Sequence, residues 1–276
     1  MRAATITALY GGALAVAALF FASAEGHTMW RLLVADVAAT VVIYLWAQAF
    51  KNSSFYDAYW SVVPPVLAAA LFTGTPRGAL VLGLVTLWGA RLTWNWYRGW
   101  PTLDHEDWRY ISYRQRTGPF WPLVDLFGIM LMPTLLVFAG CCALWPAMTA
   151  EAPLGLLDGL AALFTLGAIA LETVADEQLR AFRRSKPLKE AILDTGLWAW
   201  SRHPNYLGEI GFWCGLALFG LAADPARWVW CLGPLLMIGL FRFISIPLIE
   251  KRMLAKRPHY AKHQQRVSTL LLWPPR

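Results

Sequence analysis

Four side chains that can bind or move charge, Arg202, His203, Asn205 and Glu209, fall within eight residues in the run TGLWAWSRHPNYLGE, residues 195–209, where a hydrophobic segment begins. Pro204 suits the first turn of a helix, which sets Asn205 and Glu209 at i and i+4 on one face, with Tyr206 between them. The open amides of that helix start, with Arg202 and His203 just before it, would attract an anion. Polar groups at the mouth of an apolar helix are costly against lipid unless they bind something. The alternative is a basic anchor capping a cytosolic helix end.

Three further constellations could carry chemistry. In LVTLWGARLTWNWYRGW, Trp88, Arg91, Asn95 and Arg98 fall at i, i+3, i+7 and i+10, one face of a helix. An arginine about two turns inside such a helix snorkels only part of the way, and Asn95 beside it suggests a polar cavity. The loop DHEDWRY, with Asp107, Arg109 and Tyr110, follows; it either forms a solvated turn, or its acids orient Arg91 or Arg98 or accept from ribose hydroxyls. In LETVADEQLRAFRR, Glu172, Asp176, Arg180 and Arg183 or Arg184 share a face, and Glu172 lies a turn deeper among apolar neighbours. Near the C-terminus Glu250 and the run RPHY, ending at Tyr260, sit on a basic amphipathic stretch suited to a membrane surface or to a cofactor. Neither GxGxxG nor GxxxxGK[ST] occurs, so any cofactor must be held by the helices themselves. The four cysteines lie in apolar segments without a CxxC pair, and no metal site is expected.

The elements that must position these groups are membrane helices. Hydrophobic residues make up 58% of the 276 positions and charged ones 15%, outside the balance of a soluble domain. Eight apolar segments, centred near Leu14, Thr40, Leu67, Val85, Leu135, Leu163, Leu216 and Leu236, predict an all-α bundle of seven to eight transmembrane helices in a single domain spanning 1–276. Lys and Arg concentrate between segments four and five, between six and seven, and after eight, which predicts both termini in the cytoplasm with the unusual polar groups on that side. The net charge of +7 lies beside helices rather than on a soluble face, so membrane lipids and an anionic cofactor are expected partners, and nucleic acid is not. Heavy Ala and Arg use suggests a bacterial inner membrane, and a monomer is expected.

The runs TGLWAWSRHPNYLGE, LWGARLTWNWYRGWPTLDHEDWRY and RPHY together resemble the DUF1295 membrane proteins, related to the steroid 5-alpha-reductases. The resemblance covers about residues 52–276, with 1–50 as additional N-terminal helices. It implies NADPH-dependent reduction of a carbon–carbon double bond conjugated to a ketone in a sterol-like lipid that enters from the bilayer. By the same resemblance Asn205 and Glu209 hold the nicotinamide end, while Asp176 and Arg91 match an acid and an arginine facing the cofactor. Arg180 and Arg183 are its phosphate contacts. The expected catalytic positions are Asp57, Tyr59 and Trp88, with Tyr56 adjacent; Trp88 falls where the reductases place a Tyr, and an indole is no phenolic acid. RHPxYxG also resembles isoprenylcysteine and phospholipid methyltransferases, so an S-adenosylmethionine-dependent enzyme is the alternative reading. A transporter or scaffold is the third.

Overall fold

In the computed structural model, which describes residues 2–275, the chain is helical throughout and splits into two compact units, Met1–Thr149 and Ala150–Arg276. The first holds α1 (Arg2–Ser23), α2 (Thr28–Phe50), α3 (Tyr59–Leu71), α4 (Pro76–Gly99), α5 (Trp108–Thr117), α6 (Met132–Cys141) and α7 (Leu144–Thr149). The second holds α8 (Leu156–Arg184), α9 (Pro204–Ala223), α10 (Leu232–Leu240), α11 (Ile246–Lys256) and α12 (Tyr260–Arg266).

Among the described residues six helical stretches are long and apolar enough to cross a membrane: α1, α2, Trp108–Cys141, α8, α9 and Trp228–Lys256. The third and fourth expected segments are not among them. α3 has 13 residues, a length of about 20 Å, short of the ~30 Å hydrocarbon core. α4 has 24 residues, but Arg77, Arg91, Asn95 and Arg98 lower its mean hydropathy.

Two of these stretches, Trp108–Cys141 and Trp228–Lys256, contain π-helical widenings, Val124–Leu131 and Phe241–Ser245. Each ends just ahead of a proline, Pro133 or Pro247. A proline ring crowds the carbonyl four residues back and offers it no N–H, and a wider turn relieves that crowding.

Proline and glycine also set the α3–α4 contact. Pro65 cannot donate to the Ser61 carbonyl, and α4 comes so close there that a Cβ on Gly89 would lie 2.5 Å from that oxygen. The Ser61 hydroxyl meets Thr93 Oγ1 at 2.8 Å, so the pair is tied by polar as well as steric fit.

In the second unit α9 packs on α8 through Gly208, Gly211 and Gly215, at i, i+3 and i+7. A Cβ on them would lie 2.6 Å from Glu172 Cβ, 2.9 Å from Ala168 Cβ and 2.1 Å from Thr165 Oγ1, respectively. Small residues let membrane helices approach this closely.

Candidate functional site

In the first unit the acidic loop is stitched to the turn before α3 rather than solvated. Asn52 accepts from Ser54 N at 2.9 Å and donates to the carbonyls of Leu103 (2.6 Å) and His105 (3.0 Å). Ser53 N donates to Glu106 Oε1 at 2.9 Å, and Glu106 is gripped by both terminal nitrogens of Arg114 at 2.7 and 2.8 Å. Asp107 caps α5, accepting from Arg109 N and from Arg109 Nε, each at 2.8 Å, while its own N–H donates to Ser54 Oγ at 2.9 Å.

These bonds fix the start of α5 so that the Tyr110 phenol donates to Asp57. Tyr110 is buried, and Asp57 is half-buried beside Arg109. Burial raises the Asp57 carboxyl to about 6, against the pull of Arg109 and of the Tyr110 bond. Burial likewise raises Tyr56, so it stays a neutral phenol. The arrangement is a carboxyl joined to a phenol, able to hold a hydrogen and pass it to an oxygen.

The remaining predicted residues of this unit take other places. Tyr59 bonds Asp36 in α2. Trp88 is fully buried, at 0% exposure. Arg91 and Asn95 are half-buried along α4, and Arg98 donates to Asn95 Oδ1 at 3.3 Å.

In the second unit the run 195–209 acts as a joint between α8, α9 and the C-terminal stretch. Gly196, with φ at +59°, sits where a Cβ would strike the Gln178 side chain, and Gln178 accepts from Leu197 N at 3.0 Å. The Arg202 guanidinium donates to Glu250 (2.6 Å), the carbonyls of Gln264 (2.8 Å) and Val267 (2.6 Å), and Thr269 (2.8 Å). Four of its five N–H groups are therefore spent on the protein. His203 lies 3.3 Å from the same Glu250 oxygen and stacks on Tyr206 at 5.5 Å. Gln264 donates to the other Glu250 oxygen at 3.0 Å. Tyr260, 3% exposed, is raised to about 12 by burial and then by Glu250, and stays neutral.

At the start of α9, Asn205 Nδ2 donates to Asp176 Oδ1 at 3.3 Å, and a turn further on Glu209 accepts from Trp213 Nε1 at 2.9 Å. Glu172 is buried where Gly208 admits α8, Arg180 approaches Glu177 at 4.0 Å, and Arg183 is exposed at the end of α8. The unit thus brings Asp176 to Asn205, and Arg202 and His203 to Glu250. What the sequence reading missed is how far Arg202 is committed to the tail, and the acid Asp36. A lone carboxyl in a 23-residue apolar helix was signal enough for the latter.

An uncharacterized protein of Schizosaccharomyces pombe is 31% identical over 248 residues, covering 79% of this chain and 72% of the relative. No solved structure matches. The sequence pattern of the family described as protein of unknown function, DUF1295, matches residues 43–267, which take in every polar group of both clusters except Asp36 and Thr269. With four fifths of its length inside that match, the chain belongs to the DUF1295 family.

Proposed function

We propose that this protein is a membrane reductase that uses NADPH to saturate the carbon–carbon double bond of an enone in a steroid or sterol-like lipid. The observation that carries the reading is the Tyr110–Asp57 pair. Enone reduction takes up a proton and gains from an acid on the ketone oxygen, whereas methyl transfer to a carboxylate needs neither. A buried phenol backed by a carboxyl is suited to that acid role.

The donor set of the second unit fits a phosphate-bearing dinucleotide. Asn205 and Asp176 present an amide and a carboxylate to a carboxamide, Glu209 lies one turn on, and Arg180 and Arg183 supply phosphate contacts. The dinucleotide, when bound, supplies the hydride. Arg202, His203, Glu250 and Tyr260 hold the tail against α9 and so keep the pocket wall in place. In the first unit Tyr110 polarises the ketone oxygen, and Asp57 restores its hydrogen. Arg91, Asn95 and Arg98 form the polar face of α4. The apolar bundle leaves the lipid substrate to arrive from the bilayer.

The test is thermal unfolding of the purified protein in detergent. NADPH should raise the midpoint and S-adenosylmethionine should not; the reverse would replace the reductase by the methyltransferase reading. Asn205→Ala should abolish the NADPH shift and leave the unliganded midpoint nearly unchanged.

A further inference from the structure

We propose that the groove between the C-terminal third of α8, the turn Gly196–Ala199 and the tail is a docking site for a neutral, carbonyl-bearing lipid of the steroid-enone class, drawn from the bilayer. In naming the lipid this rests on the reductase reading; the groove and its chemistry do not.

The groove lies wholly within the second unit and holds about 500 Å³. Small-molecule sites run from about 300 to 1,000 Å³. Its lining is Val174, Gln178, Gly196, Leu197, Trp200 and Leu272. The walls are tied together: the Trp198 indole N–H donates to the Ala175 carbonyl at 3.0 Å, Leu197 N to Gln178 Oε1 at 3.0 Å, and Trp273 N to the Trp200 carbonyl at 3.2 Å. Val174 and Trp200 are nevertheless each 47% exposed and Leu272 38%, so the groove is open along one side.

Gln178 is the single polar side chain of the lining. Its oxygen takes the Leu197 N–H, which fixes the orientation of the amide and leaves the nitrogen as the donating end. That nitrogen lies against Gly196, where a Cβ would come within 2.6 Å of it. Among the described residues it donates to none. An apolar groove with one amide donor suits a lipid whose polar atom is an acceptor, as a ketone oxygen is.

Charge selects among lipids. All six lining side chains are neutral. By helical spacing Arg183, Asp176 and Arg180 fall about 180°, 200° and 240° around α8 from Val174, on the far side of the helix. An anionic phospholipid seated here would leave its phosphate without a cation, whereas a neutral ring lipid loses nothing. The far side carries the groups assigned to the dinucleotide, so the two ligands would take opposite faces of α8.

Depth fits the same occupant. α8 has 29 residues and a length of about 43 Å, so it outruns the ~30 Å hydrocarbon core, and its basic end marks the headgroup side. Gln178 lies six residues before Arg184, about 9 Å along the axis, which sets the groove at the membrane–water boundary. Exposed Trp200 and Trp273 beside it are the aromatics that such a boundary favours.

Photolabelling of the full-length protein in lipid nanodiscs with a diazirine-bearing steroid enone tests this. Label should fall on residues 196–200 and 272, mapped by peptide mass spectrometry, and Leu272→Trp, which fills the exposed side, should remove it. Gln178→Glu keeps an oxygen for Leu197 N but turns the donating nitrogen into an acceptor. It should weaken equilibrium binding of the radiolabelled enone by roughly 10-fold and leave the same steroid without its ketone oxygen within about two-fold of wild type. Equal losses for both steroids, or label that is absent from these residues or insensitive to Leu272→Trp, overturns the proposal. Displacement of the label by phosphatidylglycerol but not by unlabelled enone identifies an anionic phospholipid as the occupant and overturns it too. Label at the groove in a protein that NADPH does not stabilise supports the docking site and sinks the reductase reading; NADPH stabilisation without label at the groove does the reverse.

Discussion

At Asp57, burial and a cation act in opposite directions, and burial is the larger effect. Because its carboxyl is held at about 6, the folded protein binds this proton more tightly than the unfolded chain does. The associated stability is complete in acid, falls as pH rises from the ordinary carboxylate range through about 6, and levels off above it. Compared with Asp57→Asn, the wild type should gain in unfolding temperature between about pH 7 and about pH 5, read by thermal unfolding across that range. In the reductase reading, turnover should decline on the alkaline side of the same value, and Asp57→Asn, slow at every pH, should lack that limb. Tyr110→Phe removes the phenol hydrogen but not the ring. It should leave NADPH stabilisation intact and cut turnover by roughly 100-fold, in steady-state kinetics.

Among the elements, the α8–α9 contact is the most sensitive to a single methyl group. A Cβ at Gly215 would lie 2.1 Å from Thr165 Oγ1 and 3.2 Å from Thr165 Cα, so backbone as well as side chain must yield. Gly215→Ala should cost about 1–3 kcal/mol, and adding Thr165→Ala should recover part of it, measured as a double-mutant cycle. The tail depends on the geometry of Arg202. A lysine keeps the charge but not the planar fork that reaches Glu250, two carbonyls and Thr269 together. Arg202→Lys should release residues 267–275, detected as faster proteolysis there, with α9 still protected.

For the whole molecule, the number of crossings decides which surfaces share a compartment. Six stretches qualify as spans by length and apolarity, and α3 with α4 adds either two crossings or none. Both totals are even, and with the Lys and Arg flanking the last helix we propose that both termini lie in the cytoplasm. Reporter fusions at the two ends should both report the cytoplasm. A split result would mean an odd number of crossings and would overturn this reading.

Much was legible in the sequence because it depends on composition and local spacing. The membrane class follows from long apolar runs, the DUF1295 membership from the RHPNYLGE and EDWRY runs, and the start of α9 from Pro204. The i, i+4 relation of Asn205 and Glu209 needs no more than helical periodicity. The pairings across long separations were not legible. Tyr110 meets Asp57 across 53 positions, Arg202 meets Glu250 across 48, and Tyr59 meets Asp36 across 23. Each requires a helix to end, turn and return at one depth, and that is set by packing at Gly89, Gly208 and Gly215 and by the Asn52 and Asp107 caps. Residue types alone determined that this chain carries acids, phenols and arginines in a membrane. Only the tertiary structure decided which acid stands behind which phenol, because hydrogen bonding acts over about 3 Å and the sequence does not encode that distance locally.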